Sequence, residues 1–119
     1  MAHILLAEDD DQMRAFLARG LRRAGHRVDA VADGTAALAI AEGVEFDLLL
    51  ADIVMPGIDG IELARRLGAR QPGIRVMFIT GFAAVALHDD NVTPNRPRVL
   101  AKPFHLRHLI EEVEQLLSQ

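Results

Sequence analysis

Short apolar runs alternate with segments of helical periodicity along the whole chain. Residues 3–7 form an apolar run, and residues 10–24 then set Met13, Phe16, Leu17 and Leu21 at helical spacing before Gly25, a C-terminal stop. Residues 27–32 read as a more polar strand, suited to a sheet edge. Residues 34–42 form an alanine-rich helix opened by Asp33 as its cap. The run 46–52 (Phe-Asp-Leu-Leu-Leu-Ala-Asp) is a buried strand bounded by the Pro56-Gly57 turn, and 59–69 is a helix expected to bury Ile61, Ala64 and Leu67. Strands at 75–80 and 98–101 follow, and a final helix at 104–117 has Leu106, Leu109, Ile110, Val113 and Leu116 on one face. Its opposite face, with Arg107, Glu111, Glu112 and Glu114, reads as solvated.

One stretch breaks the alternation. The apolar run 82–87 is followed by Asp89, Asp90, Asn91, Pro94, Asn95 and Pro97, which predict a short fourth helix trailed by a polar loop. Buried strands alternating with helices give an α/β domain, a parallel sheet with helices on both faces. Right-handed crossovers make it doubly wound, and the five-stranded, flavodoxin-like version has the order 2-1-3-4-5.

Length and composition narrow the function classes. The chain has 119 residues, half of them hydrophobic, enough for one domain with a real core. No apolar run approaches the ~18 residues of a membrane span. The absence of cysteine and of an apolar leader predicts a cytoplasmic protein. A net charge of -4 argues against a nucleic-acid partner. Lys102 is the single lysine among thirteen basic residues, which suggests a place for a compact, flexible cation that an arginine fork would not serve.

The candidate chemistry sits at the strand ends. Asp52 closes the third strand, where open α/β sheets place their sites. Glu8 and Asp9 close the first, which lies beside the third in the expected order, while Asp10 or Asp11 serves as a helix cap. Two like charges ~4 Å apart repel by ~4 kcal/mol at an effective dielectric near 20, so such a cluster calls for a cation. All-oxygen ligation suits Mg²⁺, with Mn²⁺ as the alternative. Thr80-Gly81 ends the fourth strand and Lys102-Pro103 the fifth. A hydroxyl, a backbone N–H and an ammonium make a cradle for phosphoryl oxygens, and Asp52 facing it is a candidate nucleophile.

These residues resemble the receiver (CheY-like) domain of bacterial two-component response regulators. The likeness runs through Ile4-Leu5-Leu6-Ala7-Glu8-Asp9-Asp10, Asp52-Ile53-Val54-Met55-Pro56-Gly57, Ile79-Thr80-Gly81 and Lys102-Pro103-Phe104. It implies that Asp52 accepts a phosphoryl group from a phosphohistidine on a histidine kinase or histidine phosphotransferase. It implies Mg²⁺ on Asp9, Asp52 and the Val54 carbonyl, with Glu8 reaching it through water. Phosphoryl oxygens would meet Thr80, Gly81 and Lys102, and a cis peptide would precede Pro103. A narrower likeness to stand-alone cell-cycle receivers rests on residues 76–87 and 102–107. It implies one receiver domain over 1–119 with no output domain, and a priming role, when unphosphorylated, toward the ClpXP protease or its substrates. The switching partner surface is expected to include Phe82, Leu87, Asp89, Asp90, Arg96, Val99 and Pro103. Val99 departs from the family pattern, since many receivers carry Tyr or Phe there. A receiver catalyses only its own phosphorylation and dephosphorylation. The rival readings are a phosphate shuttle or sink in a relay and, in another class, a Mg²⁺-dependent phosphatase. The latter usually needs a second acid two residues past its nucleophile, where this chain has Val54. His105 and His108 are read as surface histidines of a solvated helix, not as a metal pair.

Overall fold

The computed structural model describes residues 1–81 and 97–119. The predicted fourth helix and its loop lie outside the described residues, and with them Phe82, Leu87, Asp89, Asp90 and Arg96. In chain order the elements are β1 (His3–Ala7), α1 (Asp11–Arg23), β2 (Arg27–Val31), α2 (Gly34–Ala41), β3 (Leu48–Asp52), α3 (Gly60–Arg70), β4 (Arg75–Thr80), β5 (Arg98–Ala101) and α4 (Leu106–Leu117). The five strands form one parallel sheet in the order β2-β1-β3-β4-β5, as expected.

Strand alternation divides the core between the two faces of the sheet. Ile4, Leu6, Leu48, Leu50, Met77 and Ile79 pack with Leu17 and Leu21 of α1 and Leu109 and Val113 of α4. Leu5, Ala7, Leu49, Ala51 and Phe78 turn to the other side, against Ala37 of α2 and Leu63 and Leu67 of α3. The Leu48-Leu49-Leu50 run lacks polar alternation because both faces of the central strand are covered.

Three helices start on an aspartate that accepts a backbone N–H: Asp10 from Met13 at 2.9 Å, Asp33 from Ala36 at 2.8 Å and Asp59 from Glu62 at 2.8 Å. Each such cap contributes about 1 kcal/mol. Gly25 closes α1 at a φ of 102°, in the left-handed region that favours glycine. At the end of the sheet away from the strand C-termini, the His26 ring accepts from the Ala2 N–H at Nδ1 (3.2 Å). Its Nε2 is therefore the protonated nitrogen and donates to Glu114 at 2.7 Å.

The structure corrects four local expectations. Ile61 is 55% exposed and Ala64 only half-buried; α3 buries Gly60, Leu63 and Leu67, so Leu67 faces inward as expected while the other two inward places shift by one residue. Phe16 is 47% exposed, because Leu17, Ala18, Gly20 and Leu21 take the buried side of α1. Helix α4 begins at Leu106 rather than residue 104, after the Lys102–Pro103 bond, which is cis as the family likeness implied. Its acidic face is not simply solvated: Glu112 pairs with Arg98 at 3.2 Å and Glu114 with His26.

Gly60 ties α3 to the tip of β3. A Cβ there would fall well inside van der Waals contact with the Asp52 carbonyl oxygen, and the Gly60 N–H donates to the Ile53 carbonyl at 2.9 Å. Gly68, in the same helix, has nothing within 4 Å of the equivalent position. Gly60→Ala is therefore expected to destabilise the fold by about 2–3 kcal/mol, since backbone cannot yield to overpacking. Gly68→Ala should stabilise it by about 0.5–1 kcal/mol through helix propensity. Urea unfolding of the two variants reads the contrast directly, and matching midpoints would refute it.

Candidate functional site

The parallel register brings the chemistry to one edge. Ala7 lies opposite Ala51 and Asp52 opposite Ile79, so the residues that follow β1 meet the last residue of β3. Thr80 lies opposite Ala101, and the Lys102 N–H donates to the Thr80 carbonyl at 2.8 Å. Glu8, Asp52, Thr80 and Lys102 therefore share the C-terminal edge of the sheet, where such folds place ligands.

Glu8 and Thr80 are fully buried and Asp52 nearly so, while Asp9 is exposed. One carboxylate oxygen from each of Glu8, Asp9 and Asp52 lies within 4.8 Å of the others, a donor set that fits a hard divalent cation. Lys102 holds two of these acids together: its Nζ is 2.8 Å from Asp52 Oδ2 and 3.1 Å from Glu8 Oε1. The other Asp52 oxygen accepts the Val54 N–H at 3.1 Å. Glu8 accepts the Asp10 N–H at 3.2 Å, and its carbonyl accepts Arg14 Nη1 at 3.0 Å.

The electrostatics follow from burial. Desolvation pushes the Glu8 carboxyl up to about 7 against the Asp10 N–H, with the Asp52 charge adding to the rise and Lys102 opposing it. Burial works against the Lys102 ammonium, but its bonds to Asp52 and Glu8 outweigh that and hold its pKa above the ordinary value. The edge thus concentrates negative charge around one fixed cation.

Glu8, Asp9, Asp52 and Lys102 are brought together as expected, and Thr80 and Gly81 stand at the tip of the neighbouring strand. The Val54 side chain points largely to solvent at 53% exposure and brings no acid to the site. Val99 lies opposite Phe78 and packs with the α2–α3 side of the core. Pro103 is exposed beside Lys102. His105 and His108 are exposed and join no cluster of metal-ligating side chains among the described residues. Two contributors were not anticipated. Gly60 is foreshadowed only by its position after the capping Asp59. Arg14 reaches the Glu8 carbonyl across six residues, a contact no local pattern announces.

Comparison with known proteins agrees with this geometry. The family model of the response regulator receiver domain matches residues 4–114. The chain is 52% identical to the response regulator receiver protein CpdR of Brucella abortus over 117 residues, covering 98% of each. It is 36% identical to the sensor kinase CckA of the same organism, spanning 13% of that longer protein. Among solved structures, the receiver domain of the hybrid histidine kinase CckA superposes with a TM-score of 0.83 at 38% identity, covering 97% of this chain and 98% of that one. TrrA from Thermotoga maritima, solved in complex with Mg(2+)-BeF, gives 0.83 at 27% identity, with 98% and 99% covered. The chain belongs to the response regulator receiver domain family.

Proposed function

We propose that Asp52 of this receiver accepts a phosphoryl group from a phosphohistidine on a histidine kinase or histidine phosphotransferase. The observation that carries the reading is the Lys102 ammonium bonded to both buried acids, Asp52 and Glu8, of a cluster completed by the exposed Asp9. An Asp52 oxygen attacks the phosphorus in line as the P–N bond to the donor imidazole breaks, and the three phosphoryl oxygens are received by Lys102, Thr80 and the Gly81 N–H. Asp9, Asp52 and the Val54 carbonyl would hold Mg²⁺ (Mn²⁺ is the alternative), with Glu8 reaching it through water. When bound, the metal neutralises phosphoryl charge that the acids would otherwise repel. The complex of TrrA with Mg(2+)-BeF supports this assignment.

The likeness to CpdR, which covers 98% of each chain, supports a receiver that acts in the cytoplasm through protein contacts. Its output is control of regulated proteolysis, with the unphosphorylated form engaging the ClpX unfoldase of ClpXP or its substrates. Val99 and Pro103, with Phe82, Leu87, Asp89, Asp90 and Arg96, form the proposed switching surface. Val99 supplies no aromatic ring to couple to Thr80, so the signal passes through β4 and β5 by packing rather than by a ring flip.

Three outcomes are expected. With Mg²⁺ and acetyl phosphate, the wild type gains one phosphoryl group by intact mass and Asp52→Asn gains none; undiminished labelling of Asp52→Asn would end the assignment. Lys102→Met should destabilise the unphosphorylated protein, and a urea cycle with Asp52→Asn should show a coupling of about 1–3 kcal/mol; additive single effects would mean the bridge carries no weight. Purified ClpX, or its substrates, should bind the unphosphorylated protein better than the acetyl-phosphate-treated one. Equal binding in both states would remove the proteolysis role while leaving phosphoryl acceptance standing.

A further inference from the structure

The flank of α1 that faces away from α4 forms an open groove of about 580 Å³ against β2, the edge strand of the sheet. Its floor is alanine: Ala15 and Ala18 from the helix and Ala30 from the strand. Its walls are Arg19, Arg22 and Arg23, all exposed. Arg14 stands at the end nearest the carboxylate cluster and is occupied by Asp11 and the Glu8 carbonyl.

The only acid lining this groove, Asp11, is paired with Arg14, which leaves the other three arginines uncompensated. Arg19 and Arg23 bond no acid among the described residues, and Arg22 donates only to the Val28 carbonyl at 2.8 Å. The one carboxylate on β2, Asp29, is turned to the opposite sheet face and held by His3 at 2.7 Å. A chain of net charge -4 thus presents a trough in which Arg19, Arg22 and Arg23 stand beside a single lining acid, Asp11, that is already paired with Arg14.

The strand adds directional groups. The Arg27 N–H donates to Ala2, and the Val31 carbonyl accepts from Glu8, so the parallel ladder engages alternate residues 27, 29 and 31 with β1. Val28 and Ala30 therefore direct their main-chain N–H and C=O outward. The Val28 carbonyl is capped by Arg22, which blunts indiscriminate edge pairing, and Ala30 stays available inside the groove.

We propose that the α1–β2 groove docks an extended acidic segment of a partner protein. Its backbone would bond the Ala30 main chain, and its carboxylates would meet Arg19, Arg22 and Arg23. The alanine floor leaves room for a main chain to approach. No aromatic residue lines the groove to stack a nucleobase, and the overall negative charge opposes a polyanion the length of a nucleic acid, so a short acidic peptide is favoured. The surface is separate from Val99 and Pro103 at the far end of the sheet, so it extends the proposed function without resting on it.

The test titrates the unphosphorylated chain with a fluorescein-labelled peptide alternating Asp and Thr, and with its Lys-Thr counterpart. Anisotropy should report binding of the acidic peptide alone, weakening with added salt, and amide NMR shifts should centre on Ala15, Ala18 and Ala30. Arg19→Glu with Arg23→Glu should weaken binding by at least about tenfold while labelling by acetyl phosphate persists. If that variant fails to fold, the shift map on the wild type and the milder Arg19→Gln with Arg23→Gln decide the matter. Absence of binding at low salt, shifts elsewhere, or undiminished binding by the arginine variants would overturn the proposal. Displacement of the peptide by ATP or a single-stranded RNA at lower concentration than unlabelled peptide would replace it with a polyphosphate site.

Discussion

The ammonium of Lys102 decides whether the carboxylate-bearing edge of the sheet can exist. Without it, the tips of β1 and β3 would bring two buried carboxylates together with no counter-charge from another described side chain, a repulsion of several kcal/mol. The lysine comes from beyond β5, on the far side of β4, so a long unbranched side chain is required to reach across. Burial of Glu8 sharpens the conflict that Lys102 resolves, and the result is an arrangement held in tension rather than one optimised for stability. Such a charge cluster is tolerable in a sheet whose remaining interior is apolar on both faces, because the fold's stability is secured elsewhere.

A few close approaches turn that edge into a defined geometry. The Asp52 carbonyl packs on Gly60, the Asp52 carboxylate accepts the Val54 N–H, and the Glu8 carbonyl accepts Arg14. The acceptor side of the site is therefore fastened to α1 and α3. The Lys102 N–H donates to the Thr80 carbonyl between neighbouring strand ends, and the Lys102 ammonium ties that side to Asp52 and Glu8.

Much of this was legible in the amino-acid sequence, for physical reasons. A central strand covered on both faces needs an unbroken apolar run, so residues 48–50 announce β3 and Asp52 announces its end. Parallel order then follows from handedness, and order alone puts Glu8 beside Asp52. Helix faces were less readable. Periodicity allowed Ile61 or Leu63 as the inward residue of α3, and only the close seat of Gly60 on β3 selects the second. Phe16 looked like core because its spacing is right, yet the space on that flank of α1 is taken by Leu106, which lies 2.8 Å from where a Gly20 Cβ would be. The partners of Glu112 and Glu114 are distant in the chain, and no local pattern encodes them.

The solitary lysine also makes the protein its own reporter. Reductive methylation with a ¹³C label modifies amines, and this chain offers only the ε-amine of Lys102 and the α-amine of Met1. One of the two resulting resonances would originate at the centre of the carboxylate cluster, about a quarter exposed and thus open to reagent. The cation between Glu8 and Asp52 can therefore be observed in isolation by simple chemistry, without a substitution or a bulky probe.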